Sequence, residues 1–401
     1  MTVQIHRFAS TDRIIPGRNE RRKRVLFVIN SLTGGGAERV MATLLMNSKD
    51  RLPRYEIALA VLDDVPSAFE MPDWLKIFQL DCRGGIVCSI RSLDQVVREY
   101  QPDVTLSFLT RANFASCLAM MKRRLPRIIS ERTSTPAHLG GALRQAVTKL
   151  LMRALYPRST RVIAVSSGVA DKIGAFGVQS SAIEVIPNPV DLQALERASA
   201  EPEDLGIEGP YIVAVGRLVS VKNYSLLIRA FASTDLPCRL VIAGDGPERD
   251  ALQALVAKLG VADRVMMPGW LRNPYPLVSK ASLFALSSDI EGFPNALVEA
   301  LALGVPAVAT NCKDGPAEIL AGRGADAVRG ISVEEAGILT PVDDTQSYAK
   351  ALKLAMQEPV LKRMSEAGRE RAKDYSAARI VSLYWDVIEY ELAQTPVRRA
   401  I

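Results

Sequence analysis

Ser287-Ser288-Asp289-Ile290-Glu291-Gly292-Phe293-Pro294-Asn295-Ala296-Leu297-Val298-Glu299-Ala300 is the stretch whose reading decides the fold. Before it, Leu283-Phe284-Ala285-Leu286 is a short apolar run of the kind that forms a buried parallel strand. After it, Ala296 to Leu303 is rich in good helix formers and closes at Gly304, with Pro306 just beyond. The spacing puts Pro294 at the first helical position, where a missing N–H costs nothing. The amides of Gly292 and Phe293, with Asn295 just past Pro294, then stand at a strand-to-helix corner with a positive dipole end, which suits an anion. Glu291 lies at the lip of that corner and Glu299 lies one to two turns inside, roughly 7 Å along the axis at 1.5 Å per residue. Amides bind phosphates and carboxylates accept hydrogen bonds from sugar hydroxyls, so the pattern suits an extended, polyhydroxylated phosphate ester.

Glu291 and Glu299 are separated by seven residues, with Gly292-Phe293-Pro294 between them and Ala302-Leu303-Gly304-Val305-Pro306 after. This resembles the E-x7-E motif of retaining GT-B glycosyltransferases, family 4 especially. Asp314-Gly315-Pro316 followed by Glu318 is similar to the loop those enzymes carry next. The likeness runs from Arg24 onward and is strongest in the second half. It implies an α/β GT-B fold: two doubly wound Rossmann-like domains facing a cleft, with the C-terminal helix crossing back to the first domain. It also implies a nucleotide-sugar donor, a UDP-sugar foremost, with Glu299 on the ribose hydroxyls and Glu291 on the transferred sugar.

Upstream, Ile212 to Val215 reads as a strand that turns at Gly216-Arg217-Leu218 before Val221-Lys222-Asn223 opens a helix. Arg217 and Lys222 stand five residues apart after one strand, so a guanidinium fork and a compact ammonium can grip one diphosphate from two sides. The arrangement resembles the donor-phosphate pair of the family, which makes Arg217, Lys222 and Glu291 the candidate catalytic residues. Gly244-Asp245-Gly246-Pro247 is a second turn, read equally as structural or as a ligand contact. In related enzymes the loop at Pro268-Gly269-Trp270-Leu271 borders the nucleobase, so the backbone around Trp270 is a candidate base contact.

The first half repeats the alternation of strand and helix, which predicts a parallel, doubly wound sheet with binding at the carboxyl ends of its strands. Arg24 to Ile29 is a strand leading into Gly34-Gly35-Gly36-Ala37-Glu38. A dinucleotide fingerprint needs a third glycine where Arg39 stands, which argues against nicotinamide. Gly-Gly-Ala-Glu instead resembles the N-terminal signature of family 4, which implies that Gly35 and Gly36 face the donor phosphates and Gly34 the acceptor side. Ser130-Glu131-Arg132-Thr133 closes another strand where related enzymes often carry a histidine. Glu131, Arg132 and His138 are the candidates for that role, and the choice among them stays open. Gly140 to Tyr156 reads as a helix with Leu143, Val147, Leu150, Leu151 and Leu155 in one stripe beside Arg144, Lys149 and Arg153. Such a helix either seeks a membrane surface or packs on a core.

Composition bounds the remainder. The chain has 401 residues, 48% of them hydrophobic, enough for two domains with their own cores. Its formal charge is +6. Between Arg111 and Arg161 eleven basic residues face one acid, Glu131, a local excess of +10. That block favours an anionic surface: lipid headgroups or a glycan on a polyprenyl diphosphate, with nucleic acid disfavoured because no reading motif or aromatic platform accompanies it. Five scattered cysteines read as free thiols of a reducing compartment. Two histidines exclude a histidine-rich metal site, and without an Asp-x-Asp no metal ion is required. Residues 1–23 read as a flexible basic tail without a secretory core, 24–190 with 377–401 as the acceptor-side domain, and 205–376 as the donor-binding domain. A cytoplasmic protein, peripheral on the inner membrane face, is expected. Two other classes use the same features: an epimerase or phosphorylase of GT-B architecture, and a non-catalytic polyanion-binding subunit.

Overall fold

The computed structural model describes residues 21–132, 142–202 and 205–394, in two compact units. Most of the basic tail and His138 lie outside the described residues. The N-terminal unit runs to Pro189 and takes in the chain again from Ala377; the C-terminal unit is Val190–Ser376.

The N-terminal unit is built on β1 (Lys23–Ile29), β2 (Tyr55–Val61), β3 (Lys76–Gln79), β4 (Val104–Phe108), β5 (Arg127–Glu131), β6 (Arg161–Ala164) and β7 (Ile183–Val185). They pair in the order β3-β2-β1-β4-β5-β6-β7, and every pairing is parallel. Alternation along β1 sends side chains to two separate cores. Val25, Phe27 and Ile29 join a cluster with Ile380, Tyr384, Trp385 and Ile388 of helix Ala377–Ala393, whereas Leu26 and Val28 meet Leu93, Val96 and Val97 of helix Ile86–Tyr100. Trp385 is fully buried. It donates from Nε1 to Ser48 Oγ at 2.8 Å and stands edge-on to Phe27.

The C-terminal unit repeats the plan with β8 (Tyr211–Val215), β9 (Arg239–Ala243), β10 (Val265–Gly269), β11 (Leu283–Leu286), β12 (Ala307–Thr310), β13 (Ser332–Val333) and β14 (Gly337–Thr340). The order is β10-β9-β8-β11-β12-β14-β13, parallel throughout except that β13 runs antiparallel to β14. Both sheets are therefore doubly wound. In each, the strand order reverses beside the first strand, at β1/β4 and at β8/β11, and the crevice outside those carboxyl ends is where such folds bind ligands.

Two stretches depart from expectation. Between Pro189, where the N-terminal unit ends, and residue 205, where the donor-binding domain is expected to begin, lies helix Leu192–Ser199, capped by Asp191, whose side chain accepts from Ala194 N at 2.9 Å. Helix Ala142–Leu155 buries only Met152 and Leu155, and leaves Leu143 (79%), Val147 (48%) and Leu150 (66%) exposed. Of the two readings of this stripe, core packing accounts for its C-terminal end alone.

Candidate active site

The decisive stretch lies at the reversal point of the second sheet. It leaves β11, turns, and becomes helix Asn295–Ala302, closed by Gly304 in a left-handed conformation. Pro294 is the N-cap rather than the first helical residue: its ψ of 92° is extended, so the helix begins one residue later. The Phe293 ring is buried against Tyr375 at 5.5 Å, which anchors the corner. Gly315 presses on the same corner from the next loop. Its φ is +96°, and a Cβ there would stand 2.5 Å from Pro294 Cδ, so no other residue fits without moving the corner.

The loop leaving β8 is laced to this corner. Asp289 N donates to Val221 O at 2.9 Å, Ser287 Oγ to Lys222 O at 2.9 Å, and Asn223 Nδ2 to Asp289 Oδ1 at 2.9 Å. Asn223, itself left-handed, also caps helix Tyr224–Ala232 through Leu226 N. These bonds bring together side chains 69 positions apart: Lys222 Nζ lies 2.5 Å from Glu291 Oε1, and Ser288 Oγ donates to the same oxygen at 2.6 Å. Only 9% of the Glu291 side chain is exposed, against 25% for Lys222. Burial, reinforced by the nearby Glu291 carboxylate, pushes the Tyr224 hydroxyl and the Cys312 thiol well up, so both stay neutral beside the pair.

Gly216 leaves β8 so close to Tyr224 that an added Cβ would stand 2.7 Å from its hydroxyl. Gly244 and Gly246 are both at positive φ, packed on the carbonyls of Gly216 and Leu218, so the Gly244-Asp245-Gly246-Pro247 turn serves to hold the Arg217 loop in place. Arg217 is exposed on that loop, and no carboxylate pairs with it among the described residues. Trp270 is 72% exposed beyond β10. Glu299 is half-buried on its helix and accepts from Tyr275 Oη at 3.2 Å. Tyr275 was not among the residues picked out from sequence. It opens a five-residue helix, Tyr275–Ser279, and no local pattern ties it to a carboxylate 24 positions away.

In the N-terminal unit Gly34 takes a φ of +104° and Gly35 caps helix Gly36–Met46, with the Glu38 carboxylate folded back over it. Glu131 and Arg132 lie inside the unit. Glu131 is 2% exposed and accepts from Tyr156 Oη at 2.6 Å. Arg132 is 6% exposed, its guanidinium 4.5 Å above the Phe108 ring and bonded to Tyr384 Oη of the C-terminal helix. Its Nε and Nη2 are buried without a partner among the described residues.

Family comparisons meet this geometry in both units. The family described as "Glycosyl transferases group 1" matches residues 198–371, and "Glycosyltransferase Family 4" matches 34–194. The chain belongs to these glycosyltransferases. A relative from Campylobacter jejuni, N-acetylgalactosamine-N,N'-diacetylbacillosaminyl-diphospho-undecaprenol 4-alpha-N-acetylgalactosaminyltransferase, is 29% identical over 378 residues, covering 91% of this chain and 98% of its own. Among solved structures, Anabaena HepE in complex with UDP superposes with a TM-score of 0.72 at 21% identity, covering 92% of this chain and all (100%) of that one. The lipopolysaccharide outer core galactosyltransferase WaaB, without ligand, gives 0.70 at 19% identity, covering 92% and 99%. The fold is thus that of the GT-B glycosyltransferases, and this glycosyltransferase carries its E-x7-E pair where the second sheet reverses.

Proposed function

We propose that this glycosyltransferase transfers a hexose-type sugar from a uridine diphosphate donor to a lipid-linked glycan, with retention at the anomeric carbon and no need of a metal ion, in the assembly of a cell-surface polysaccharide. The observation that carries the reading is the meeting of Lys222 and Glu291 at 2.5 Å outside the carboxyl ends of β8 and β11, with Arg217 on the same loop. Arg217, Lys222 and the amides at Gly292, Phe293 and Asn295 take the departing diphosphate, as preorganised positive charge aimed at developing negative charge. Glu299, steadied by Tyr275, holds the ribose hydroxyls; Glu291 holds the sugar as it passes through an oxocarbenium-like state; the backbone beside Trp270 borders the base. The two glutamates are not a glycosidase pair, since they touch different parts of one donor. The complex of HepE with UDP supports the choice of base, and the diphospho-undecaprenol in the name of the Campylobacter enzyme supports the choice of acceptor.

No helix of the described residues is long and apolar enough to cross a membrane. We assign membrane attachment to helix Ala142–Leu155, whose exposed Leu143, Val147 and Leu150 stand among exposed Arg144, Lys149 and Arg153. Apolar insertion with basic attraction to anionic lipid is the chemistry of an interfacial helix. Leu150→Glu is expected to abolish flotation with phosphatidylglycerol vesicles and to leave UDP binding intact.

The donor assignment is tested with labelled UDP-sugar. Glu299→Ala and Arg217→Ala are each expected to raise the donor KM or lower turnover at least tenfold, about 1.4 kcal/mol. If both retain wild-type kinetics, the assignment is wrong. The anomeric proton coupling of the product reports retention or inversion. A labelled epimer or sugar phosphate as product places the activity in one of the two other enzyme classes.

A further inference from the structure

A second depression, of about 560 Å³, opens at the amino ends of β5 and β6, the edge of the N-terminal sheet opposite its carboxyl-end loops. That volume falls in the range of small-molecule sites. Three arginines, Arg124, Arg127 and Arg158, are among its lining residues, and Arg158 Nη1 donates to Ala154 O. Glu391 is the one acid among its described lining residues; Arg161 pairs with that carboxylate, Nε to Oε1 at 3.0 Å, and also with Glu184 at 3.4 Å. Even with Glu391 counted in full, the lining keeps a formal excess of +2, three arginines against one carboxylate. Arg127 gives Nη1 to Leu125 O at 3.0 Å, but its Nε is buried with no partner among the described residues. An orphaned buried donor on a charged group is costly and calls for an anion. Arg124 holds φ +55° as the left-handed residue that closes helix Thr110–Met121, with its N–H on Met121 O and the Leu125 N–H on Met120 O, and this turn sets its side chain at the rim.

We infer that this depression binds a phosphate-bearing ligand through Arg124, Arg127 and Arg158. Guanidinium forks match the paired oxygens of a phosphoester, and three of them exceed what a single carboxylate needs. The phosphoester comes either from an anionic lipid headgroup or from a soluble metabolite. Arg158 follows directly on helix Ala142–Leu155, in the three-residue turn Tyr156–Arg158, which brings the depression to the end of the helix assigned to the membrane. The inference does not rest on the donor site.

The test uses the full chain and the double variant Arg124→Gln/Arg158→Gln, both exposed positions; Arg127→Gln is a second variant, kept separate because Arg127 is half-buried. Calorimetric titration with inorganic phosphate and with sn-glycerol 3-phosphate is run beside cosedimentation with phosphatidylglycerol and phosphatidylcholine vesicles. The double variant is expected to bind at least tenfold more weakly, with its melting temperature and UDP affinity unchanged. Binding to phosphatidylglycerol vesicles alone identifies a lipid headgroup; binding to glycerol phosphate as well identifies a soluble phosphoester. No binding of either probe by the wild type overturns the inference, as does a double variant that binds like wild type. Vesicle binding that Leu150→Glu abolishes and both arginine variants retain also overturns it, since the helix then acts alone, and the donor-site reading is untouched.

Discussion

Replacing Glu291 with Gln removes the carboxylate that holds Lys222 Nζ at 2.5 Å while keeping the side chain's shape and an oxygen for the Ser288 hydroxyl. In the ligand-free protein the ammonium is engaged by that carboxylate, so a diphosphate must compete for it. Unit charges about 4 Å apart attract by about 4 kcal/mol at an effective dielectric of 20, an upper bound here because hydration is lost on pairing. Lys222 keeps 25% of its side chain exposed, which moves the pair toward the surface median of about 0–1 kcal/mol. A net release of about 1 kcal/mol follows, or roughly fivefold tighter UDP binding at 1.4 kcal/mol per decade. Turnover falls at least tenfold in the same variant, because the group assigned to the sugar is gone. Calorimetric titration with UDP and initial rates with a UDP-sugar measure the two quantities. Their opposite movement is the signature. If UDP affinity falls along with turnover, Lys222 is not freed toward the diphosphate and the assignment of the pair fails.

Three further outcomes are expected. Tyr275→Phe deletes a 3.2 Å hydrogen bond to Glu299 worth about 1 kcal/mol, so donor KM rises roughly fivefold with kcat little changed; an unaltered KM removes Tyr275 from the site. Asp94 is held below the ordinary carboxylate range, first by its hydrogen bond from Arg123 (2.7 Å) and further by Arg98. A carboxyl depressed in the folded state stabilises it above the unfolded value of about 3.9, and that contribution is lost as pH falls through the folded value. Urea denaturation should therefore show Arg123→Ala about 1 kcal/mol less stable at pH 7, with the gap narrowing as pH falls below about 4 and closing below the folded value. Trp385→Ala empties a fully buried site against Phe27 and Tyr55, and a loss of about 3–5 kcal/mol in urea unfolding is expected; a loss under 1 kcal/mol would mean that this helix is not integral to the N-terminal core.

The alternation of apolar runs with helix formers carried most of the architecture, because a parallel strand covered on both faces leaves an unbroken apolar segment and its crossover helix leaves a periodic one. Only the short elements escaped. Helix Leu192–Ser199 and helix Tyr275–Ser279 are too brief to show a period, and the two-residue strand β13 follows its antiparallel partner rather than any pattern of its own.

Within the site, Glu291 and Glu299 were legible because one loop and one helix hold them at a fixed spacing, as were Arg217 and Lys222 on a single loop. What those groups do to one another was not. Lys222 meets Glu291 across 69 residues, and Arg132 reaches Tyr384 across 252. Those distances are set by which strands sit side by side, information that no window of the chain contains. The same holds for helix Ala142–Leu155. Its apolar stripe was plain in the sequence, since helical periodicity is a local property; that the stripe stands open rather than packed follows from where the neighbouring elements run, which tertiary structure alone decides.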